Sequence, residues 1–186
     1  MTRRAVRTQI AQTAMTLFVA NGFEQTTVDQ IAAAVGMSGR SVFRYFPTKE
    51  DMVVGHMDEI GDRLAQALAA RPLDEDPWTA LRHAMQPHID ELTADADTNV
   101  AVARMLDATP ALRPSLLNKR ERWAQALLPD ITRRLRGPTR TRELRARAIV
   151  SSALACLNIA VDEWALTGAT KPIGELLDTA LTAVRD

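Results

Sequence analysis

Cysteine occurs once among the 186 residues, as Cys156. A lone thiol closes no internal disulfide, so the chain suits a reducing cytoplasm. Aromatic residues are scarce, at 4%. Trp78, Trp123 and Trp164 lack the basic interleaving of a surface that stacks single-stranded bases. The opening stretch MTRRAVRTQIAQT has no continuous apolar core, which predicts no signal peptide. No run of about 18 apolar residues appears, so no membrane span is expected. Missing too are GxSxG, a P-loop, HExxH and any glycine-rich phosphate turn, so neither an enzyme nor a bound cofactor is expected. His83 and His88 stand five apart, off the three-or-four spacing of one helix face, and there is no second cysteine. No metal site is expected from them.

Present in quantity are Ala and Leu, with Arg, Glu and Gln, all strong helix formers. Apolar residues reach 46%. An all-α fold follows, in one large domain or two small ones. Formal net charge is zero, which by itself argues against nucleic acid. Its distribution argues the reverse. Residues 1–49 carry six bases (Arg3, Arg4, Arg7, Arg40, Arg44 and Lys49) against two acids, Glu24 and Asp29. Residues 50–186 carry 17 bases against 21 acids. A basic head, residues 1–49, on a mildly acidic body, residues 50–186, fits a local phosphate footprint.

Val6, Ile10, Ala14 and Phe18 recur every four residues, forming one apolar stripe of a helix from Arg4 to Ala20 that Asn21-Gly22 closes. Thr27 opens a second helix, and Gln30 completes a capping box three residues on. Ile31, Ala32 and Val35 face inward. Gly36 marks a sharp turn, and Ser38 caps a third helix with Val42 and Phe46 inward. Arg40, Ser41, Arg44 and Tyr45 are left pointing outward, and Pro47 stops the helix. Two short helices about a glycine turn, the second lined with basic and hydroxyl groups, are the layout of a helix-turn-helix. The arginine fork holds guanine through two hydrogen bonds. Hydroxyls and lysine fix the register on phosphate. Solvated charge on an ordinary surface helix is the plain alternative for Arg40 and Arg44. The capping box, the Gly36 turn, the Pro47 stop and the basic head together weigh against it.

From Ile10 to Met52 the residues AxxLFxxxGFxxTTVxxIAxxxGMSxxSVFRYFPTKEDM resemble the TetR family of bacterial transcriptional regulators. The resemblance implies that Thr27 caps the second helix and touches phosphate. It implies a recognition helix from Ser38 to Tyr45, carrying Gly39, Arg40, Ser41 and Arg44. Lys49 would meet a phosphate from the start of the fourth helix. Phe43 departs from the tyrosine frequent there, so a hydroxyl bond is lost. Arg44 stands at a variable position, so base preference does not carry over. Arg3 and Arg4 fit either a minor-groove arm or a disordered basic tail.

In the body, a fourth helix is read from Thr48 to Ala70, with Met52, Met57, Ile60, Leu64 and Leu68 inward. Asp76-Pro77 opens a helix to Leu92 that Pro87 should kink. Helices follow from Thr98 to Ala108, from Ala111 to Leu135 with breaks at Pro114 and Pro129, from Thr139 to Leu166 and from Ile173 to Val184. On the last two, Ile149, Ala153, Cys156, Ala160, Trp164, Leu177 and Leu181 offer apolar faces that a second copy could cover in a four-helix bundle. The resemblance implies the same homodimer; packing on the body is the alternative. A ligand cavity is implied by the resemblance rather than by pattern. Its candidate lining is Met85, Leu92, Met105, Leu106, Trp123 and Leu127, with His88 and Asn158 as polar contacts. Each of these fits ordinary core or surface as well. The run MLDATPALRPSLLNKRERW is similar to actinobacterial members of the family, some of which sense fatty acyl thioesters. Arginines from Arg133 to Arg147 read as a solvated helix end and loop, with a second nucleic-acid patch as the alternative.

Two functions fit these residues. One is a ligand-responsive homodimeric repressor on a palindromic double-stranded DNA operator, released by a largely apolar small molecule. The other is a helical small-molecule-binding protein whose head no longer binds DNA.

Overall fold

Residues 2–185 are described by the structure, a computed structural model, with the side chains of His56 and Asp58 outside that description. Nine α-helices occupy the described residues: α1 (Arg3–Asn21), α2 (Val28–Ala34), α3 (Gly39–Phe43), α4 (Lys49–Ala69), α5 (Pro77–Ala94), α6 (Ala96–Asp107), α7 (Arg113–Arg134), α8 (Thr139–Leu166) and α9 (Ile173–Arg185). One 3₁₀ turn, Pro110–Leu112, precedes α7. Two compact units emerge. The first comprises residues 2–59 together with Met105–Lys119; the second comprises Ile60–Arg104 and residues 120–185. The expected break after Lys49 therefore falls inside the first unit. Helices α4, α6 and α7 each contribute residues to both.

In the first unit the core is Ile10, Ala11, Ala14, Phe18, Ile31, Val42, Phe46, Met52 and Leu112, all fully or almost fully buried. The apolar stripe of α1 accounts for its share. Arg3 already belongs to α1 and Arg4 Nε bonds Glu59 Oε1 at 3.2 Å, so these residues form neither an arm nor a loose tail. Thr26, unremarked in the sequence, is completely buried and its hydroxyl donates to the Gly22 carbonyl at 2.8 Å. That bond closes the turn between α1 and α2. Ahead of α4, Thr48 and Asp51 bond reciprocally, Asp51 N–H to Thr48 Oγ1 and Thr48 N–H to Asp51 Oδ2, both at 3.1 Å. This is a capping box with Asp in the usual Glu position.

The second unit packs α5, α8 and α9 together. α8 begins and ends where the sequence places it, because Pro138 precedes it and Gly168 follows with φ +65°. α5 continues through Pro87 to Ala94, with Met85 and Ile89 buried on either side of the proline. Burial of such a face sustains a helix that has lost one backbone bond. α7 is likewise unbroken. Pro114 falls in its first turn, where an N–H would find no partner within the helix, and Pro129 lies inside it.

Two further readings change. The arginine run is not uniformly solvated. Arg134 is completely buried and ion-paired to Asp130, Nε to Oδ1 at 2.7 Å. Its remaining N–H groups donate to the carbonyls of Leu68 (3.0 Å), Arg71 (3.2 Å) and Pro72, so one guanidinium caps the carboxy end of α4. In the loop that follows, Arg71 forks onto Glu75 at 2.8 and 2.6 Å and, with His83, holds that carboxyl down to about 2. The second change concerns membranes. α8 is long and apolar enough to cross one by length and composition alone. Residues such as Ala146, Val150, Leu154, Leu157 and Trp164 are buried within the unit, as on the core helix of a soluble protein.

Candidate nucleic-acid interface

The site is built on two caps and one turn. Thr27 Oγ1 accepts the Gln30 N–H at 3.2 Å, while Gln30 Oε1 accepts the Thr27 N–H at 2.8 Å, which is the expected capping box. At the other end of α2 the Met37 N–H reaches the Ala32 carbonyl (2.8 Å) and the Gly36 N–H the Ala33 carbonyl (3.2 Å). This Schellman pair needs a left-handed residue between helix and loop, and Gly36 supplies φ +69°. Ser38 then starts α3, its Oγ accepting the Ser41 N–H at 3.2 Å and lying 3.0 Å from Ser41 Oγ. Gly39 lies close to α2: a Cβ there would come within 2.5 Å of Asp29 Oδ1, an exposed side chain that can turn aside.

α3 is shorter than the expected Ser38–Tyr45. After Phe43 the Tyr45 N–H bonds Val42 at 2.9 Å in a tighter turn, and Pro47 disfavours helical backbone at Phe46. Val42 and Phe46 are fully buried. Arg40, Phe43 and Arg44 share the exposed face, while Ser41 and Tyr45 are half-buried. Thr27 and Ser38 are exposed at their helix starts. So the structure gathers Thr27, Ser38, Arg40, Ser41, Arg44 and Tyr45 onto α2, α3 and the turn that follows.

Two basic residues brace this surface from behind. Arg7 stacks over the Phe46 ring, 4.4 Å from its centroid, and donates to the Tyr45 carbonyl at 3.4 Å. Lys49 Nζ donates to the Phe23 and Thr26 carbonyls at 2.8 and 3.0 Å and lies 4.6 Å from the centre of the Phe23 ring. Two of its three donors are thus bonded within the chain, which leaves one for a phosphate. Phe43, noted in the sequence only for the hydroxyl it lacks, is 49% exposed. Its outward position could have been found from its spacing of three residues from Arg40.

The residues read as cavity lining divide between the units. Met105 and Leu106 belong to the first, and Met85, His88, Leu92, Trp123, Leu127 and Asn158 to the second. Met85 and Leu127 are buried, and the rings of His88 and Trp123 meet edge-on at 6.3 Å. Asn158 is half-buried and donates to Asp162 Oδ2 at 2.6 Å. A side chain at Gly61 would clash with the indole of Trp123, so α4 and α7 approach closely there.

The residues read as a dimer seam mostly face inward. Ala153, Cys156, Ala160, Trp164, Leu177 and Leu181 are buried within their own unit, and Ile149 is half-buried. The Cys156 thiol donates to the Ala180 carbonyl at 3.4 Å, and burial pushes its pKa up. α8 is apolar on more than one face, so periodicity could not tell inward from outward. Its outward side carries exposed Leu144, Ala148, Ile159 and Leu166 and half-buried Ser152 and Ala155, with Asp162 and Glu163 between Ile159 and Leu166. Leu144, Ile159 and Leu166 are 61%, 59% and 68% exposed.

Comparison with known proteins agrees with this geometry. The model of bacterial regulatory proteins of the tetR family matches residues 10–54. The HTH-type transcriptional regulator TcmR of Streptomyces glaucescens is 30% identical over 190 residues, spanning 98% of this chain and 84% of that protein. FadR of Thermus thermophilus, a TetR-family repressor solved with lauroyl-CoA, superposes with a TM-score of 0.63 at 20% identity, covering 96% of this chain and 93% of that one. FadR of Bacillus subtilis, solved with stearoyl-CoA, gives a TM-score of 0.64 at 18% identity, covering 95% and 96%. These two structures share the fold with this chain.

Proposed function

The chain belongs to the TetR family of bacterial regulatory proteins, and from that premise we propose a homodimeric repressor that leaves a palindromic operator when a largely apolar small molecule binds. It is a ligand-responsive DNA-binding transcriptional regulator. The observation that carries the detailed reading is the exposed face of α3 and the turn after it, where Arg40 and Arg44 stand four residues apart with no acid between them. Their guanidinium groups meet base edges or phosphates. Thr27 and Ser38 bind phosphate at the two helix starts, and Lys49 offers its third donor to another. Two copies related by a two-fold axis present two such helices to successive major grooves. The outward stripe of α8 is the surface that a second copy covers. Operator binding takes place in the cytoplasm, with no membrane involved.

Acyl thioesters are the first effector class to try, because two relatives in fold were solved with them. Release requires that the effector bind the non-operator conformation more tightly than the operator-bound one.

The test is selection of duplexes from a randomised pool by the purified protein at near-physiological salt. A palindrome with half-site centres about one helical turn apart is expected. Lauroyl-CoA and stearoyl-CoA are then added to the complex. Recovery of nothing beyond salt-sensitive background by effector-free protein would overturn the repressor reading in favour of a ligand-binding protein that ignores DNA sequence.

A further inference from the structure

We propose that Phe43 reads a thymine in each operator half-site through the C5 methyl group of that base. The proposal rests on α3 being the recognition helix and goes beyond it, to the one side chain on that face that cannot form a hydrogen bond.

Four phenylalanines occur in the chain, all in the first unit. Phe18 and Phe46 are completely buried and Phe23 is 4% exposed. Phe43 is 49% exposed. Isolated exposed apolar residues are ordinary on protein surfaces, so exposure alone decides nothing. The neighbours decide. Positions 40, 43 and 44 share one face of a helix, three and four residues apart. Phe43 therefore stands on the exposed face one turn from Arg40 and next to Arg44 in the chain, while Val42 and Phe46 are buried. An apolar protein partner seated on Phe43 would have to desolvate two arginines, and the cores of protein interfaces are depleted of charge for that reason. A membrane surface would take the ring but would leave unexplained the capped helix pair that presents it.

A DNA major groove satisfies all three side chains at once. Arginine finds phosphate or the O6 and N7 of guanine. Phenylalanine has one apolar counterpart among base edges in that groove, the thymine methyl. A tyrosine at this position could turn its hydroxyl to phosphate; the bare ring has no such option. Phe43 thus contributes to sequence preference, where Thr27 and Ser38 contribute to register.

The experiment uses the full-length protein and the duplex recovered from the randomised pool. Each thymine is replaced in turn, in both half-sites, by deoxyuridine, which differs only in lacking the C5 methyl. Affinities are measured at one fixed salt concentration for wild type, Phe43→Ala and Phe43→Tyr, with thermal melting to check folding. Losing a buried methyl contact costs about fourfold in affinity. Wild type is expected to lose about that factor per half-site at one thymine. Phe43→Ala is expected to bind the thymine duplex more weakly and to be indifferent to that replacement. Phe43→Tyr keeps the ring and is expected to retain the penalty. Two outcomes overturn the assignment: no uracil penalty in wild type, or an equal penalty in Phe43→Ala. A uniform weakening by Phe43→Ala across unrelated duplexes would place the ring on the backbone and also reject it. If wild type selects no site, the operator reading itself fails, a result distinct from selecting a site that ignores thymine methyls.

Discussion

Arg134 shows how much one side chain can hold. Its guanidinium is paired with Asp130 and bonded to the carbonyl of Leu68 in the last turn of α4 and to those of Arg71 and Pro72 just beyond it, and the side chain has no exposed surface. The last carbonyls of a helix have no partner within the helix, and a cation there also meets the favourable end of the helix dipole. Removing Arg134 leaves the buried Asp130 with only the exposed Arg133 as partner among the described residues and leaves three carbonyls without their donor. Arg134→Met is therefore expected to lower stability by about 3–5 kcal/mol, read as a shift in the urea midpoint. Arg134→Lys should recover only part of it, because an ammonium cannot span the fork geometry. A change under about 1 kcal/mol, the value of an exposed pair, would show that the buried network contributes little. None of this was legible in the sequence. There Arg133 and Arg134 open a basic run, and the carbonyls that Arg134 bonds are 62 residues or more away along the chain. Thr26 was hidden for the same reason: a lone threonine before a capping threonine gives no local sign of being buried.

At the scale of elements, local signals placed most helices. Thr27, Ser38, Asp76 and Thr48 all bond backbone N–H groups at helix starts. Helix α8 has the bounds its flanking proline and glycine dictate. Misreadings arose where burial competed with a local rule. Prolines at 114 and 129 were read as breaks, yet α7 takes Pro114 in its first turn and runs through Pro129. α3 erred the other way, ending before its outward residues did. Gly36 is the element-scale hinge of the interface, since it alone allows α2 to stop and α3 to start within a few residues. A side chain at its φ costs about 1–2 kcal/mol. Gly36→Ala is expected to lose about that much in stability. It should also weaken operator binding, measured by titration of the selected duplex, even when the protein remains folded. Wild-type affinity in that variant would show that α3 keeps its orientation without the Schellman turn.

Over the whole molecule, fold class and function were legible in the sequence, whereas the residues read there as a dimer seam are mostly buried within their own unit. Apolar residues surround α8, so the inward set, from Ala153 to Trp164, looked as suitable for a partner as the outward set. Only the packing of α5 and α9 against it separates the two. The outward stripe gives a direct test. Ile159→Arg puts a charge at its centre without touching the buried face, and is expected to yield monomers by sedimentation velocity. Operator affinity should fall by about a hundredfold or more as two linked contacts become one. A dimer that survives the change would place the seam elsewhere.

That same stripe reaches into the life of the protein in the cell. Under the proposed pairing, a newly made copy carries Leu144, Ile159 and Leu166 in open contact with water until it meets another. Pairing stabilises the folded chain by mass action, so a lone copy unfolds more often than a paired one and is cleared faster by proteases. Abundance then depends on synthesis more steeply than in proportion. At low expression most chains are degraded before they meet, and above a threshold they accumulate as dimers. Under that proposed pairing, the exposed apolar residues of α8 set a minimum dose below which the operator stays empty, whatever the supply of effector.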